Sequence, residues 1–188
     1  MPRRLVWSVK LGIMFATVYV GTACSVVEQP NGSPHSVAPP IAEVSDQHSC
    51  FSTEVLTSLG ITAASTETQP RSPKPGRIPE SFTPVELVEC KAVVQADYRT
   101  AKVQEARYGG DLSEVLSELG KPSEARDLNC QAGTVPRPVI WLLSDQGAAI
   151  RPSIPQDKCG ISRTQVYGAI SDLPEISSAE RLIEIIPN

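Results

Sequence analysis

Histidine is scarce in this chain of 188 residues: His35 and His48 are the only two. A histidine-rich metal centre is thereby excluded, and a histidine-dependent triad would have to rest on one of two residues in a polar, unpromising stretch. The signatures of catalysis are missing as well. There is no GxSxG, no HExxH, no P-loop and no dinucleotide-binding glycine run. No two cysteines stand in a CxxC pair, which removes zinc-ribbon and thioredoxin-type readings for want of ligand or resolving-cysteine spacing. With no activated nucleophile or general base to name, neither an enzyme nor a bound cofactor or metal is expected.

Basic charge is scarce beyond the N-terminus. The 17 basic residues include Arg3, Arg4 and Lys10, the only charges before Cys24, so 14 remain against 21 acidic ones. A surface that acidic lacks the basic patch that nucleic acid or anionic lipid requires, and no nucleic-acid partner is expected. Long apolar runs are also lacking. The run from Leu11 to Val20 is about half of what a membrane-spanning helix needs.

Together with Arg3 and Arg4 before it and Gly21-Thr22-Ala23 after it, that run reads as an export signal over residues 1–23. Gly21-Thr22-Ala23-Cys24 resembles the bacterial lipobox, which implies that Cys24 becomes a diacylated N-terminus on the outer face of the cytoplasmic membrane. Cleavage by an ordinary signal peptidase would give a secreted protein instead. Residues 24–46 hold Pro30, Pro34, Pro39 and Pro40 and no Lys or Arg. They are expected to form a disordered tether, since such a composition buries too little apolar surface to offset its ordering entropy. The folded part is then one α+β domain over residues 47–188.

Five cysteines are an odd count, and lipidation of Cys24 accounts for the odd one. Cys50, Cys90, Cys130 and Cys159 remain, with three connectivities open in an oxidising compartment. The turn Ser144-Asp145-Gln146-Gly147 lies between apolar runs, near the midpoint of Cys130 and Cys159. A hairpin there, with Pro138 facing Pro152 and Pro136 facing Pro155, brings these two cysteines together and leaves Cys50 for Cys90. Each closed loop is worth roughly 3–4 kcal/mol on the chain-entropy account.

Helices are predicted over 112–119 and 163–173. The first has Asp111 and Glu114 as a capping box and a stripe of Leu112, Val115, Leu116 and Leu119; Gly120 and Pro122 end it. In the second, Ser162 serves as N-cap, Val166, Ala169, Ile170 and Leu173 form the apolar face, and Pro174 is the stop. A short turn of helix follows Ser52. Val88, Cys90, Ala92 and Val94 alternate with Glu89, Lys91 and Val93 as in a half-buried antiparallel strand. Residues 101–108 suit its hairpin partner or an amphipathic helix. The ribbon 139–151 and a strand at 181–186 complete an antiparallel sheet of about five strands, with two helices packed on one face and two disulfides. The Pro-rich stretch 69–79, carrying Arg71, Lys74 and Arg77, is expected as an exposed loop, solvated or in contact with anionic cell-wall polymer. His48 beside Cys50 lacks further metal ligands, Asp145, Asp157 and Asp172 fit turn chemistry, and Trp141 fits core packing better than a ligand platform.

The order of Val85-Glu86-Leu87-Val88-Glu89-Cys90, Gly109-Gly110-Asp111-Leu112, Cys130, Pro138-Val139 and Cys159 resembles the Streptomyces subtilisin inhibitor family over residues 85–159. That resemblance implies that the loop after Cys130, residues 131–137 with Ala132-Gly133 nearest the scissile position, inserts into a serine protease. More broadly the chain is similar to actinobacterial exported lipoproteins, which implies location and no activity. Two functions follow as expectations. One is a lipid-anchored, non-enzymatic binding or accessory module of the cell envelope, its partner an envelope protein or ligand that the sequence does not identify. The other is a protease inhibitor.

Overall fold

Leu87, Val88, Glu89 and Cys90 are consecutive and all buried, so the strand that holds them is covered on both faces. In this computed structural model, which describes residues 38–64, 71–127, 130 and 137–186, the elements run α1 (Thr53–Ser58), β1 (Pro84–Val94), β2 (Thr100–Tyr108), α2 (Ser113–Leu119), β3 (Val139–Ser144), β4 (Ala149–Ile150), α3 (Thr164–Ser171) and β5 (Glu175–Glu184). The five strands form one antiparallel sheet in the order β4-β3-β1-β2-β5. The expected α+β class, with five strands and two disulfides, is what the chain adopts.

Strand alternation sorts the core into two layers. Leu87, Ala106, Ile140, Leu142 and Ile150 face α2 and α3, meeting Val115, Leu119, Val166, Ala169 and Ile170. The two helices therefore lie on one face and pack against each other. Val88, Cys90, Ala101, Val103, Val139, Trp141 and Leu143 face the opposite way, against Val55, Leu56, Leu59 and Ile61. The short α1 supplies that second cover, with Ser52 as its N-cap accepting from Val55 N–H. This corrects the half-buried reading of β1: from Leu87 to Cys90 the face carrying Glu89 is as dry as the face carrying Cys90, and the strand runs out into solvent at both ends, at Val85 and at Val93 and Val94.

Residues 101–108 are strand, resolving the alternative left open above: β2 pairs with β1 from Leu87↔Tyr108 to Val94↔Ala101. Both helices start one residue later than their capping patterns predict. Asp111 Oδ1 accepts from Ser113 N–H at 2.9 Å while Leu112 is the N-cap. Ser162 is buried and bridged to Gln156, and Arg163 takes the N-cap of α3 without a side-chain bond. α3 ends at Ser171, and the last strand begins at Glu175, ahead of the expected 181, once Pro174 has stopped the helix.

The ribbon 139–151 is shorter than predicted. β3 and β4 share only Leu142↔Ile150 and Leu143↔Ala149, a register in which Pro138 does not face Pro152. Beyond Ile150 the chain turns to other partners: Arg151 C=O accepts from Gly76 N–H and Ser153 N–H donates to Gly76 C=O. Both disulfides nonetheless join the expected cysteines, Cys50–Cys90 and Cys130–Cys159.

Two expected boundaries shift. Residues assigned to the tether are part of the fold: Ser45 and Ala149 exchange backbone hydrogen bonds at 2.9 and 2.7 Å, Ala42 N–H donates to Arg77 C=O, and Ala42 is buried in the helix-side core. The Pro-rich stretch is seated as well as exposed, with Ser72 and Gly76 buried between exposed Arg71, Lys74 and Arg77. Together these segments cover the β4 edge of the sheet. No helix among the described residues is long and apolar enough to cross a membrane.

Candidate functional site: two clefts around Arg151

Arg151 follows the last residue of β4, and the departure of the chain toward Gly76 turns its side chain inward. It is 8% exposed. Nη1 donates to Ser72 Oγ at 3.1 Å and Nη2 stands 3.5 Å from Ser58 Oγ, while the guanidinium lies 5.8 Å from the centroid of the Trp141 ring. Among the described residues no carboxylate comes within ion-pair distance of it, and its Nε has no hydrogen-bond partner. Burial pushes its pKa below the usual arginine value, opposed by the charge of Glu54. A buried cation whose direct contacts are hydroxyls and an aromatic face, with Glu54 acting on it only at a distance, is a costly arrangement.

Trp141 comes from the centre of β3, is 1% exposed, and has an indole N–H without a partner among the described residues. It serves the core, as its apolar strand implies, and it also contributes to a cleft of about 310 Å³ walled by Ser45, Asp46, His48, Arg71 and Ser72. His48 lies edge-on to the indole, with ring centroids 6.2 Å apart. A second cleft, of about 260 Å³, is lined by Arg137 and Arg151 with Ser58, Ser153, Gln156 and Ser162, and by no acidic residue. Arg137 donates to the carbonyl of Gly160, beside the Cys130–Cys159 bridge. Arg151 stands between the clefts, bonded to a wall residue of each.

The rim of the first cleft is tied to the sheet by charge. His48 Nε2 is 2.9 Å from Arg107 Nη2 and 3.6 Å from Glu105 Oε1. Arg107 also reaches Glu105 and Glu86 at 3.7 and 3.5 Å. The hydrogen bond with His48, then the charges of His48 and Arg107, hold the Glu105 carboxyl below the usual carboxylate range against the opposing effect of burial. Under α2 and α3 lies a different polar group. Glu89, 2% exposed, accepts from Lys91 at 2.7 Å and from the Tyr108 hydroxyl at 3.2 Å. Burial and then Glu89 push the Tyr108 pKa up to about 12. This cluster satisfies itself and adjoins neither cleft.

The residues singled out from sequence fare unevenly. Cys24, Ala132 and Gly133 lie outside the described residues. Cys50 is spent in its disulfide, and no group of three or more metal-ligating side chains gathers among the described residues. Arg71 pairs with Glu54 at 3.8 Å and Lys74 with Glu43 at 3.9 Å, so the basic run is partly answered by the chain's own acids. Asp157 accepts from Cys159 and Ile161 N–H groups, the expected turn chemistry. Arg151, Arg107 and Glu105 were missed. Two of them stand in the alternating run of β2, but Arg151 follows an apolar strand end among prolines, where a charge reads as surface.

No family model, no curated protein and no solved structure matches this chain.

Proposed function

We propose that this protein is a non-enzymatic binding module of the cell envelope, exported and held to the outer face of the cytoplasmic membrane by a lipid on Cys24, and that its ligand presents an anionic oxygen group to Arg151. The observation that carries this reading is the buried Arg151 guanidinium, with no carboxylate within ion-pair distance among the described residues and no hydrogen-bond partner for its Nε, at a cleft lined by two arginines and no acidic residue. Groups that are expensive to bury unpaired are retained where a ligand completes them.

Trp141 and Trp7 are the only tryptophans, and Trp7 is lost with the signal peptide, so intrinsic fluorescence of the mature protein reports the first cleft. Titration with citrate and inorganic phosphate is expected to give a saturable change that Arg151→Met abolishes. Because methionine keeps the volume and removes the unpaired charge, the variant is expected to be as stable as the parent or up to about 1 kcal/mol more so. Absence of any saturable change in the parent, or undiminished binding by Arg151→Met, overturns the assignment.

A second reading, inhibition of a subtilisin-like protease through Ala132-Gly133, draws support from the Cys130–Cys159 disulfide at the foot of residues 131–137. Stoichiometric loss of subtilisin activity on mixing with the protein supports it. Rapid cleavage within 131–137 excludes it.

A further inference from the structure

The two edges of the sheet are treated oppositely. β4 is two residues long and is covered by the segment around Ser45 and by Gly76. β5 is ten residues long, carries neither proline nor lysine, and is exposed along nearly its whole length. Only one end of its outer side is taken: Ala64 N–H donates to Glu184 C=O and Ile186 N–H to Thr62 C=O. Backbone groups at 184 and 186 thus point outward, and by alternation so do those of 182, 180, 178 and 176. Among the described residues no strand pairs with this window. Long open edges are what natural sheets block with lysine, proline or a covering segment; among the described residues the β4 edge is covered, whereas β5 is covered only at its 184–186 end.

The window from Ile176 to Leu182 is centred on Ala179. We infer that β5 pairs antiparallel with β5 of a second copy of this chain, about a two-fold axis at Ala179, to form a continuous ten-stranded sheet. In that register Ile176 stands opposite Leu182 at both ends, and these are among the most exposed apolar side chains of the fold, at 58% and 64%. Ser178 stands opposite Glu180 and Ser177 opposite Arg181, so no like charges face one another. An axis at Glu180 would set two carboxylates against each other, and an axis at Ser178 would set Ile176 against Glu180. The strand's own charges are engaged within the protomer: Lys102 reaches Glu180 at 3.1 Å, and Arg181 lies 5.3 Å from the centroid of Phe51. The bulge beside Ile176 falls at the outer end of the ladder, where its twist disturbs the fewest rungs.

Ala179 pairs inward with Glu105, so across the two-fold it forms a non-hydrogen-bonded pair with itself. The Cα atoms of such a pair are about 4.5 Å apart, within disulfide range. The test uses the full-length chain with Cys24→Ser, which removes the one cysteine outside the two disulfides. Ala179→Cys is expected to oxidise in air to a disulfide-linked dimer, while Ser177→Cys and Arg181→Cys, each opposite the other position and not itself, remain uncrosslinked. Without added cysteine, sedimentation should give a dimer. Leu182→Glu, whose new carboxylate faces Lys102 within the protomer, should weaken association at least tenfold while leaving the circular dichroism spectrum unchanged. A monomeric parent, failure of Ala179→Cys to crosslink, or equal crosslinking at 177 and 179 overturns the inference.

Discussion

Glu105 is ringed by groups that favour its ionised form: His48 on the rim of the cleft and Arg107 on its own strand, with Glu86 on the far side of Arg107 as the competing acid. Its pKa lies below the usual carboxylate value in the folded chain. A carboxyl depressed in this way stabilises the fold at pH values above its unfolded pKa, and that contribution is lost as pH falls through the folded pKa. Glu105→Gln should therefore cost about 1 kcal/mol at pH 6, with the gap from the parent narrowing below pH 4. Urea denaturation across that range checks it; a gap that stays constant down to pH 3 refutes the role. At the same scale, Gly76 is fixed by crowding. A Cβ there would stand 2.3 Å from Pro40 O and 2.5 Å from Ala42 N, both backbone atoms. Gly76→Ala is expected to cost about 1–3 kcal/mol, and because relief requires the 40–42 segment to lift, limited proteolysis should begin there. Unchanged thermal stability and protection would contradict this.

At the scale of elements, the structure separates what a sequence displays from what it conceals. The stripes of α2 and α3 and the short helix after Ser52 are local patterns, and each formed within a residue or two of where its pattern put it. The alternation in β1 was legible, but it marked one buried face where there are two. Glu89 is kept dry by Lys91 and Tyr108, and a charge whose partners include a residue on another strand looks in sequence like a solvent position. The segment around Ala42 and Ser45 was illegible for a related reason. It joins the fold through backbone hydrogen bonds to Arg77 and Ala149 and buries a single small side chain, so it carries neither period nor hydrophobic run. Arg151 was hidden in the same way, since its burial depends on Ser58, Ser72 and Trp141, all distant in sequence. The disulfide pairing came out as expected although the ribbon invoked for it has only two rungs. The turn at Ser144 to Gly147 was therefore the informative part of that argument, and the proline symmetry was not.

For the molecule as a whole, the seating of residues 40–45 changes the geometry of the proposed anchor. A tether running to residue 46 would allow the domain a reach of roughly 75 Å from Cys24 at full extension. With the chain joined to the fold at Pro40 through the Arg77 N–H bond to its carbonyl, the span from Cys24 shortens to about 55 Å at most. The described chain enters at the covered β4 side of the sheet, opposite β5. Two anchored protomers would carry two diacylated cysteines, and a paired anchor dissociates far more slowly than a single one. Cys24→Ser is accordingly expected to move the protein from the membrane to the soluble fraction, with the described fold and both disulfides unchanged. Leu182→Glu, which leaves Cys24 in place, should retain it on the membrane but raise its rate of transfer between vesicles. Fractionation of the Cys24→Ser variant decides the anchor: undiminished membrane retention would show that attachment resides elsewhere in the chain.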